Sequence, residues 1–214
     1  MSESRPQTLA EMEAHVETRR RSLGDEHPET LAAMLEMAEM LWARGRLKEL
    51  RAIEEHVLAA RRRALGEAHG DTLKALGKLA ATTGAQGDLD TARRMQEEVL
   101  ARGREVWGES GRDTLRAMNN LAGTIAAQGD LAGARALLDA AIETLHREFG
   151  PHDPDTLTAL ANLAAVLWQY GERGEAYWLQ SQLVETRRQA FGDADAGTRA
   201  AAAVLEAMHR DGMP

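Results

Sequence analysis

Polar side chains with binding chemistry recur at fixed distances from a threonine that repeats along this chain. Each such threonine opens an apolar stripe of helical period, and the positions two, five, six, nine, twelve and thirteen residues further on lie opposite that stripe. At these positions lysine and arginine can bind a carboxylate, and arginine can do so with two parallel hydrogen bonds. Asparagine can both donate hydrogen bonds to a peptide backbone and accept them from it. The candidate peptide-binding residues that this spacing selects are Lys74, Lys78, Arg116, Asn119, Asn120, Asn162, Trp168 and Gln169.

The first threonine-led segment carries different side chains on the same face, namely Glu36, Glu39 and Trp42. The middle of the chain is therefore basic and amide-rich on this face, although the protein is acidic overall. Two interpretations of these polar residues other than ligand binding stay open. Exposed helical positions take lysine and asparagine for solubility alone, or Asn120 and Asn162 hydrogen-bond across neighbouring segments. For the tryptophans of this face, the commoner role is packing against adjacent helices.

Motifs for catalysis, metal binding or cofactor binding do not occur in the sequence. Gly77 and Lys78 lack the upstream glycine and the following hydroxyl of a phosphate-binding loop, and no two histidines have the spacing of a zinc-binding helix. His27 and His69 occupy the same position in two segments, which favours helix capping. The chain has no cysteine, which excludes disulfides and thiolate metal sites. We therefore expect a protein that is not an enzyme, with no catalytic residues, no metal and no cofactor.

The elements that position the candidate residues follow from an internal repeat. A Thr-Leu pair occurs at residues 30, 72, 114 and 156, and a fifth threonine at 198, so each step is 42 residues. In the same register, one glycine precedes each repeat and a second glycine falls inside each full repeat. Because glycine takes the left-handed backbone conformation without strain, the inner glycine predicts the end of one helix and a turn into the next.

Each repeat is expected to be a helix, a tight turn and a second helix. Proline and acidic residues suit the first turn of a helix, and a helix pair cannot bury its apolar stripe alone, so neighbouring pairs must stack. This predicts an all-α fold, a right-handed α-solenoid of antiparallel helix pairs, as a single domain over residues 1–214. The expected parts are a lone N-terminal helix at 6–22, four helical pairs at 25–64, 67–106, 109–148 and 151–190, and a C-terminal capping helix at 196–210.

Two short segments resemble the tetratricopeptide repeat (TPR). Residues 129–135 read GDL with AR two residues later, and residues 119–122 read NNLA. The 42-residue period and openings such as HPET at 27–30 resemble the longer variant of kinesin light chains, which is common in bacterial proteins. The resemblance implies that the first helices line a concave groove and hold a peptide's backbone or C-terminal carboxylate there. Leu50 and Arg173 depart from the pattern, in place of a small and an apolar residue respectively.

Composition limits the classes of partner. A formal net charge of −8 argues against nucleic-acid binding, which needs a basic surface. No stretch approaches the roughly 20 apolar residues of a membrane span, and the N-terminus has no apolar core of signal-peptide type. We expect a cytoplasmic protein, bacterial by its abundance of alanine, glycine and arginine, with neither nucleic acid nor membrane as a partner.

These observations predict a non-catalytic scaffold that holds an extended protein or peptide segment, acidic or ending in a carboxylate, in a concave groove. A first alternative is homo-oligomeric assembly, with a homodimer formed through the N-terminal helix at 6–22. A second is an accessory or regulatory subunit of a separately encoded enzyme or signalling ATPase. A small enzyme is the third.

Overall fold

Residues 8–212 are described by the computed structural model, and ten α-helices follow one another along them. Residues 6 and 7, which the sequence assigned to the first helix, lie outside that part of the chain. The helices are α1 Leu9–Leu23, α2 Pro28–Trp42, α3 Leu47–Leu65, α4 Gly70–Ala85, α5 Leu89–Trp107, α6 Arg112–Ala127, α7 Leu131–Phe149, α8 Pro154–Tyr170, α9 Arg173–Phe191 and α10 Ala196–Arg210.

The chain divides into two compact units, which we call unit 1, up to Arg102, and unit 2, from Gly103 onward. In unit 1, α1 packs on α2, α2 on α3, and α3 on α4. In unit 2, each helix from α6 to α10 packs on the next, and α6 also contacts α8. The all-α class and the stacking of consecutive helix pairs, both predicted from the repeat, are confirmed. The single domain and its repeat boundaries stay predictions.

The threonine that marks each repeat has a structural role that its spacing alone did not show. Its side chain is buried at all five positions, in the four repeats and in the C-terminal helix. In three repeats the hydroxyl donates to the carbonyl oxygen of the glycine six residues earlier, at 2.7–3.0 Å. The pairs are Thr30 with Gly24, Thr114 with Gly108, and Thr156 with Gly150. In these three repeats the bond fixes the loop before the first helix, so the repeated threonine marks a recurring turn.

Each first helix begins at a capping position in the same register. His27 and His69 accept a backbone N–H through the ring Nδ1, at 3.2 and 3.1 Å. Asp153 and Asp195 do the same with a carboxylate, at 2.9 and 2.7 Å. Such caps satisfy N–H groups that the helix itself leaves without a partner. The capping role expected for the two histidines is thus confirmed.

Substitution of an inner glycine tests the turn between two helices. Gly129 has φ of +91°, and a Cβ there would meet no other atom, so Gly129→Ala introduces backbone strain alone. We expect a loss of about 1 kcal/mol in the free energy of unfolding. In contrast, Gly123→Ala places a Cβ in open space within helix α6 and should add about 0.5–1 kcal/mol. Urea denaturation followed by circular dichroism measures both, and a shift of the same sign in the two variants would contradict this assignment.

The core of each unit consists of the apolar stripes that the repeat predicts. The leucine after the repeat threonine is 0–1% exposed at Leu73, Leu115 and Leu157, and 9% exposed at Leu31. Leu50, which departs from the family pattern, is buried with Ala38 and Leu41. Within the described residues, none of the helices has the length and apolar character needed to cross a bilayer.

Candidate functional site

In unit 2, the predicted binding residues lie on the adjacent helices α6 and α8. Arg116, Asn120 and Gln169 are exposed, whereas Asn119 and Asn162 are half-buried. On both helices the apolar residues of the opposite side, such as Leu115 and Leu157, face the core. The positions chosen by their spacing from the repeat threonine therefore lie on the polar faces of two neighbouring first helices.

Two of the asparagines bond to each other across neighbouring repeats. The Nδ2 of Asn162 donates to the Oδ1 of Asn119 at 2.9 Å. The sequence interpretation that amides bridge repeats is therefore correct for Asn162, with Asn119 as its partner. The bond orients both amide groups on the face, and a bridged amide retains further donor and acceptor capacity.

Arg116 reaches Asp155, which forms an acidic pair with Asp153 in the next repeat, and also lies near Asp113 of its own helix. Its Nε donates to Oδ1 of Asp155 at 2.8 Å, and its Nη1 lies 3.6 Å from Oδ1 of Asp113. Because Arg116 is exposed, such ion pairs are weak and exchange readily in water. A carboxylate supplied by another chain can compete for the same guanidinium.

Arg112, which the sequence analysis did not select, anchors the acidic pair. Its Nη1 and Nη2 each donate to one carboxylate oxygen of Asp153 at 2.9 Å, and Nη1 also donates to Asp155 at 2.5 Å. The guanidinium lies 4.0 Å from the ring centroid of Phe149. These hydrogen bonds from Arg112 hold the pKa of the Asp153 carboxyl below its ordinary value. A signal was present in the sequence, since an arginine at this position faces the acidic opening DPDT of the next repeat.

Trp168 is half-buried and carries an arginine on its ring. The guanidinium carbon of Arg173 lies 5.1 Å from the centroid of the indole, within the distance of a cation–π contact. This explains the departure of Arg173 from the family pattern, because the apolar residue of other repeats is replaced by a cation that covers the tryptophan.

In unit 1, Lys74 and Lys78 are both exposed on α4. The Nζ of Lys78 lies 2.8 Å from Oε1 of Glu39 on α2, the first helix of the preceding repeat. The structure therefore brings one predicted lysine together with one of the acidic residues that the first repeat places on the same face.

A cavity beside this ion pair was missed by the sequence analysis. It lies between α2, α3 and α4, has room for about 170 Å³, and contains the side chain of Glu54. The positions equivalent to Glu54 in the later repeats hold Gln96, Leu138 and Gln180. That break in the repeat was the available signal, since Glu54 alone brings a carboxylate to a position that otherwise carries no charge.

Arginines near the ends of second helices form ion pairs with the loops that follow those helices. At one register position the guanidinium pairs with an acidic side chain five residues later, in the loop that follows. The pairs are Arg20 with Asp25, Arg62 with Glu67, Arg104 with Glu109, and Arg188 with Asp193. Among residues 8–212, no three histidine, aspartate or glutamate side chains are grouped in a way that could hold a metal ion.

The sequence model of the tetratricopeptide repeat matches residues 30–105 and 113–188, which is well over half of the chain. The chain belongs to the tetratricopeptide repeat family. TPR proteins of this kind are protein-interaction scaffolds, and this chain is such a scaffold in general terms.

Solved structures of kinesin-light-chain type are similar to this TPR protein. One, a point variant of nearly identical TPR-like repeats from a Podosopora anserina kinesin light chain, is 25% identical with a TM-score of 0.67, and the match covers 85% of both chains. Another, BtubC (BKLC) from P. vanneervenii, is 18% identical with a TM-score of 0.71, covering 95% of this chain and 83% of the other. None of the curated proteins matches the chain. The resemblance to kinesin-light-chain-like repeats stated from the sequence is thus confirmed.

Proposed function

We propose that this TPR protein is a non-catalytic scaffold that holds an extended peptide segment, acidic or ending in a free carboxylate, on its first-helix faces. In unit 2 the proposed contacts are Arg116, Asn119, Asn120, Asn162, Trp168 and Gln169. In unit 1 a second contact for the same kind of ligand is formed by Lys74 and Lys78. The cytoplasmic location and the self-association through helix α1 stay predictions from the sequence.

One observation carries the proposal: on adjacent first helices, the amide pair Asn119–Asn162 lies beside an exposed guanidinium, Arg116. Amides bind a peptide backbone irrespective of its sequence, because they supply both a donor and an acceptor. The guanidinium supplies the charge that selects a carboxylate. Asp155 is only 15% exposed but keeps its hydrogen bond to Arg112 when Arg116 leaves it, so exchange of one carboxylate for another at the exposed Arg116 has a small free-energy cost.

The test uses arrays of short immobilised peptides and the full chain. One array carries acidic peptides with free C-termini, a second carries the same peptides amidated, and a third has lysine in place of every acidic residue. We expect retention on the first array, weaker retention on the second, and none on the third. Arg116→Glu should reduce retention by about tenfold or more, since it replaces attraction by repulsion at the carboxylate. The double variant of Lys78→Glu and Arg116→Glu should abolish it.

Arg147→Glu is the matched control, because Arg147 is exposed on the second helix α7, off the proposed face. It makes the same change of charge and should retain peptides as the parent chain does. Arg116→Gln guards against local unfolding, since it removes the charge without placing a carboxylate beside Asp155. Equal retention by the Arg116 variants and the Arg147 variant, or no preference between acidic and lysine peptides, would overturn the proposal.

A further inference from the structure

The cavity in unit 1 is lined by a buried carboxylate, Glu54, one oxygen of which makes no hydrogen bond of ordinary geometry. Glu54 is 5% exposed, and this oxygen is Oε2. The hydroxyl of Thr82, which also lines the cavity, is the polar neighbour of Glu54 and lowers the pKa of its carboxyl, but it too makes no hydrogen bond of ordinary geometry. A buried polar group left in this state destabilises a fold, so its presence calls for a reason.

The fold itself does not require a carboxylate here. Glutamine or leucine occupies the equivalent position in the later repeats, and Gln180 shows how a neutral side chain is accommodated. Its Nε2 donates to the backbone carbonyl oxygen of Ala201 on the next first helix, at 2.8 Å. A carboxylate has no hydrogen to donate in this way.

The charged side chains that line the cavity are net negative. Three charged side chains line it: Glu39 from α2, Glu54 from α3 and Lys78 from α4. The ammonium of Lys78 is bonded to Glu39 at 2.8 Å. Burial raises the pKa of Glu54, against the lowering effects of Thr82 and Lys78 and together with the raising effect of Glu39. One additional cation would balance the two carboxylates.

A tryptophan at the cavity lacks the cation that covers its counterpart in unit 2. Trp42 lines the cavity and is 49% exposed. The equivalent residue is Trp168, whose ring lies under the guanidinium of Arg173. The position equivalent to Arg173 in the first repeat is Leu47, so the chain itself supplies no guanidinium from that position to Trp42.

We propose that this cavity binds an arginine side chain of a partner protein. The guanidinium donates to the carboxylate of Glu54 and stacks on Trp42, and the aliphatic part of the side chain packs on Ala38 and Ala81. Arginine fits because its planar fork can donate to a carboxylate and contact an aromatic face at once. This ligand has the opposite charge to the acidic peptide proposed above, so either proposal can fail without the other.

The experiment titrates the ¹⁵N-labelled full chain with two blocked peptides, acetyl-Gly-Ala-Arg-Ala-Gly-amide and the same peptide with citrulline in place of arginine. Citrulline has nearly the shape of arginine and no charge. Neither peptide contains a carboxylate, so a failed acidic-peptide test does not affect the outcome. The indole N–H signal of Trp42, assigned by its loss in Trp42→Phe, reports binding. We expect saturable shifts with the arginine peptide at millimolar concentration, and binding of citrulline weaker by about tenfold or more.

Two variants complete the test. Glu54→Gln carries the residue found at this position in two of the three later repeats and should weaken arginine binding by about tenfold or more. Glu55→Gln makes the same change on the neighbouring residue, which is exposed and bonded to Arg51 at 2.8 Å, and should bind as the parent chain does. The proposal is overturned by equal binding of the arginine and citrulline peptides, by undiminished binding to Glu54→Gln, or by the absence of any shift at Trp42.

Discussion

Replacing Leu157 by alanine will lower the free energy of unfolding by about 3 kcal/mol. Leu157 is fully buried on α8, in a cluster with Leu183 and Val184 of α9 and Ala201 of α10. Because these three helices meet at one side chain, they cannot collapse into the space that the leucine leaves. Urea denaturation of the full chain, followed by helical circular dichroism, measures the change.

Two matched variants define what this result means. Thr158→Ala alters the next residue, which is exposed, and should change the free energy of unfolding by less than about 0.5 kcal/mol. Leu31→Ala makes the same truncation at the equivalent position of the first repeat, where the leucine is less buried, and should be milder. If Leu157→Ala proved no more destabilising than Thr158→Ala, the assigned core of unit 2 would be wrong.

Glu54→Gln should have the opposite sign and stabilise the protein by about 1–3 kcal/mol at pH 8. The buried carboxylate is desolvated without a full set of hydrogen bonds, whereas glutamine removes the charge. By the precedent of Gln180 and Ala201, its amide can also donate to the carbonyl oxygen of Ala75, the equivalent residue of α4. Stability thus increases where a charge is lost, which is expected if Glu54 is retained for binding.

The gain from Glu54→Gln should depend on pH. Burial raises the pKa of Glu54 in the folded protein above its value in the unfolded chain, with Glu39 and Lys78 as the other charges that face it. The folded state therefore binds the proton more tightly, and the parent chain loses stability as pH rises from the unfolded towards the folded pKa. The difference between the two proteins should be smallest below pH 4 and largest at pH 8. Paired urea titrations at both pH values check this, and a gain independent of pH would remove the charge as its cause.

The exposed neighbour Glu55 again supplies the control. Its carboxylate is paired with Arg51 on the same helix, so Glu55→Gln should leave the free energy of unfolding within about 0.5 kcal/mol of the parent at both pH values. A comparable gain at Glu55 would mean that the lower net negative charge of the protein, and not the burial of one carboxylate, is responsible.

The helices and turns could be predicted from the sequence because their causes lie within a few residues. The inner glycines take positive φ, and in three repeats the threonine bonds to a carbonyl six residues away. The first-helix caps act over two or three residues. Each of these signals is repeated at a constant interval, which separates it from chance.

The candidate site could be predicted only in part. Helical spacing placed Arg116, Asn119 and Asn162 on one face, because residues on a helix are ordered by its period. The side chains that meet them across repeats were not visible, since such partners lie about forty residues apart, as in Arg116 with Asp155. The same distance hid the role of Arg112.

From its own order of residues, this chain specifies a repeating helix pair, the end of every helix and the side of each first helix that faces outward. The packing of helices against one another decided the remainder: that Lys78 is bonded to Glu39, that Trp168 is covered by Arg173 while Trp42 is half exposed, and that Glu54 lies buried beside a cavity. The physical reason is one of range. Backbone conformation and helical phase act between near neighbours, whereas burial, ion pairing and cavity shape depend on which side chains the folded chain brings together.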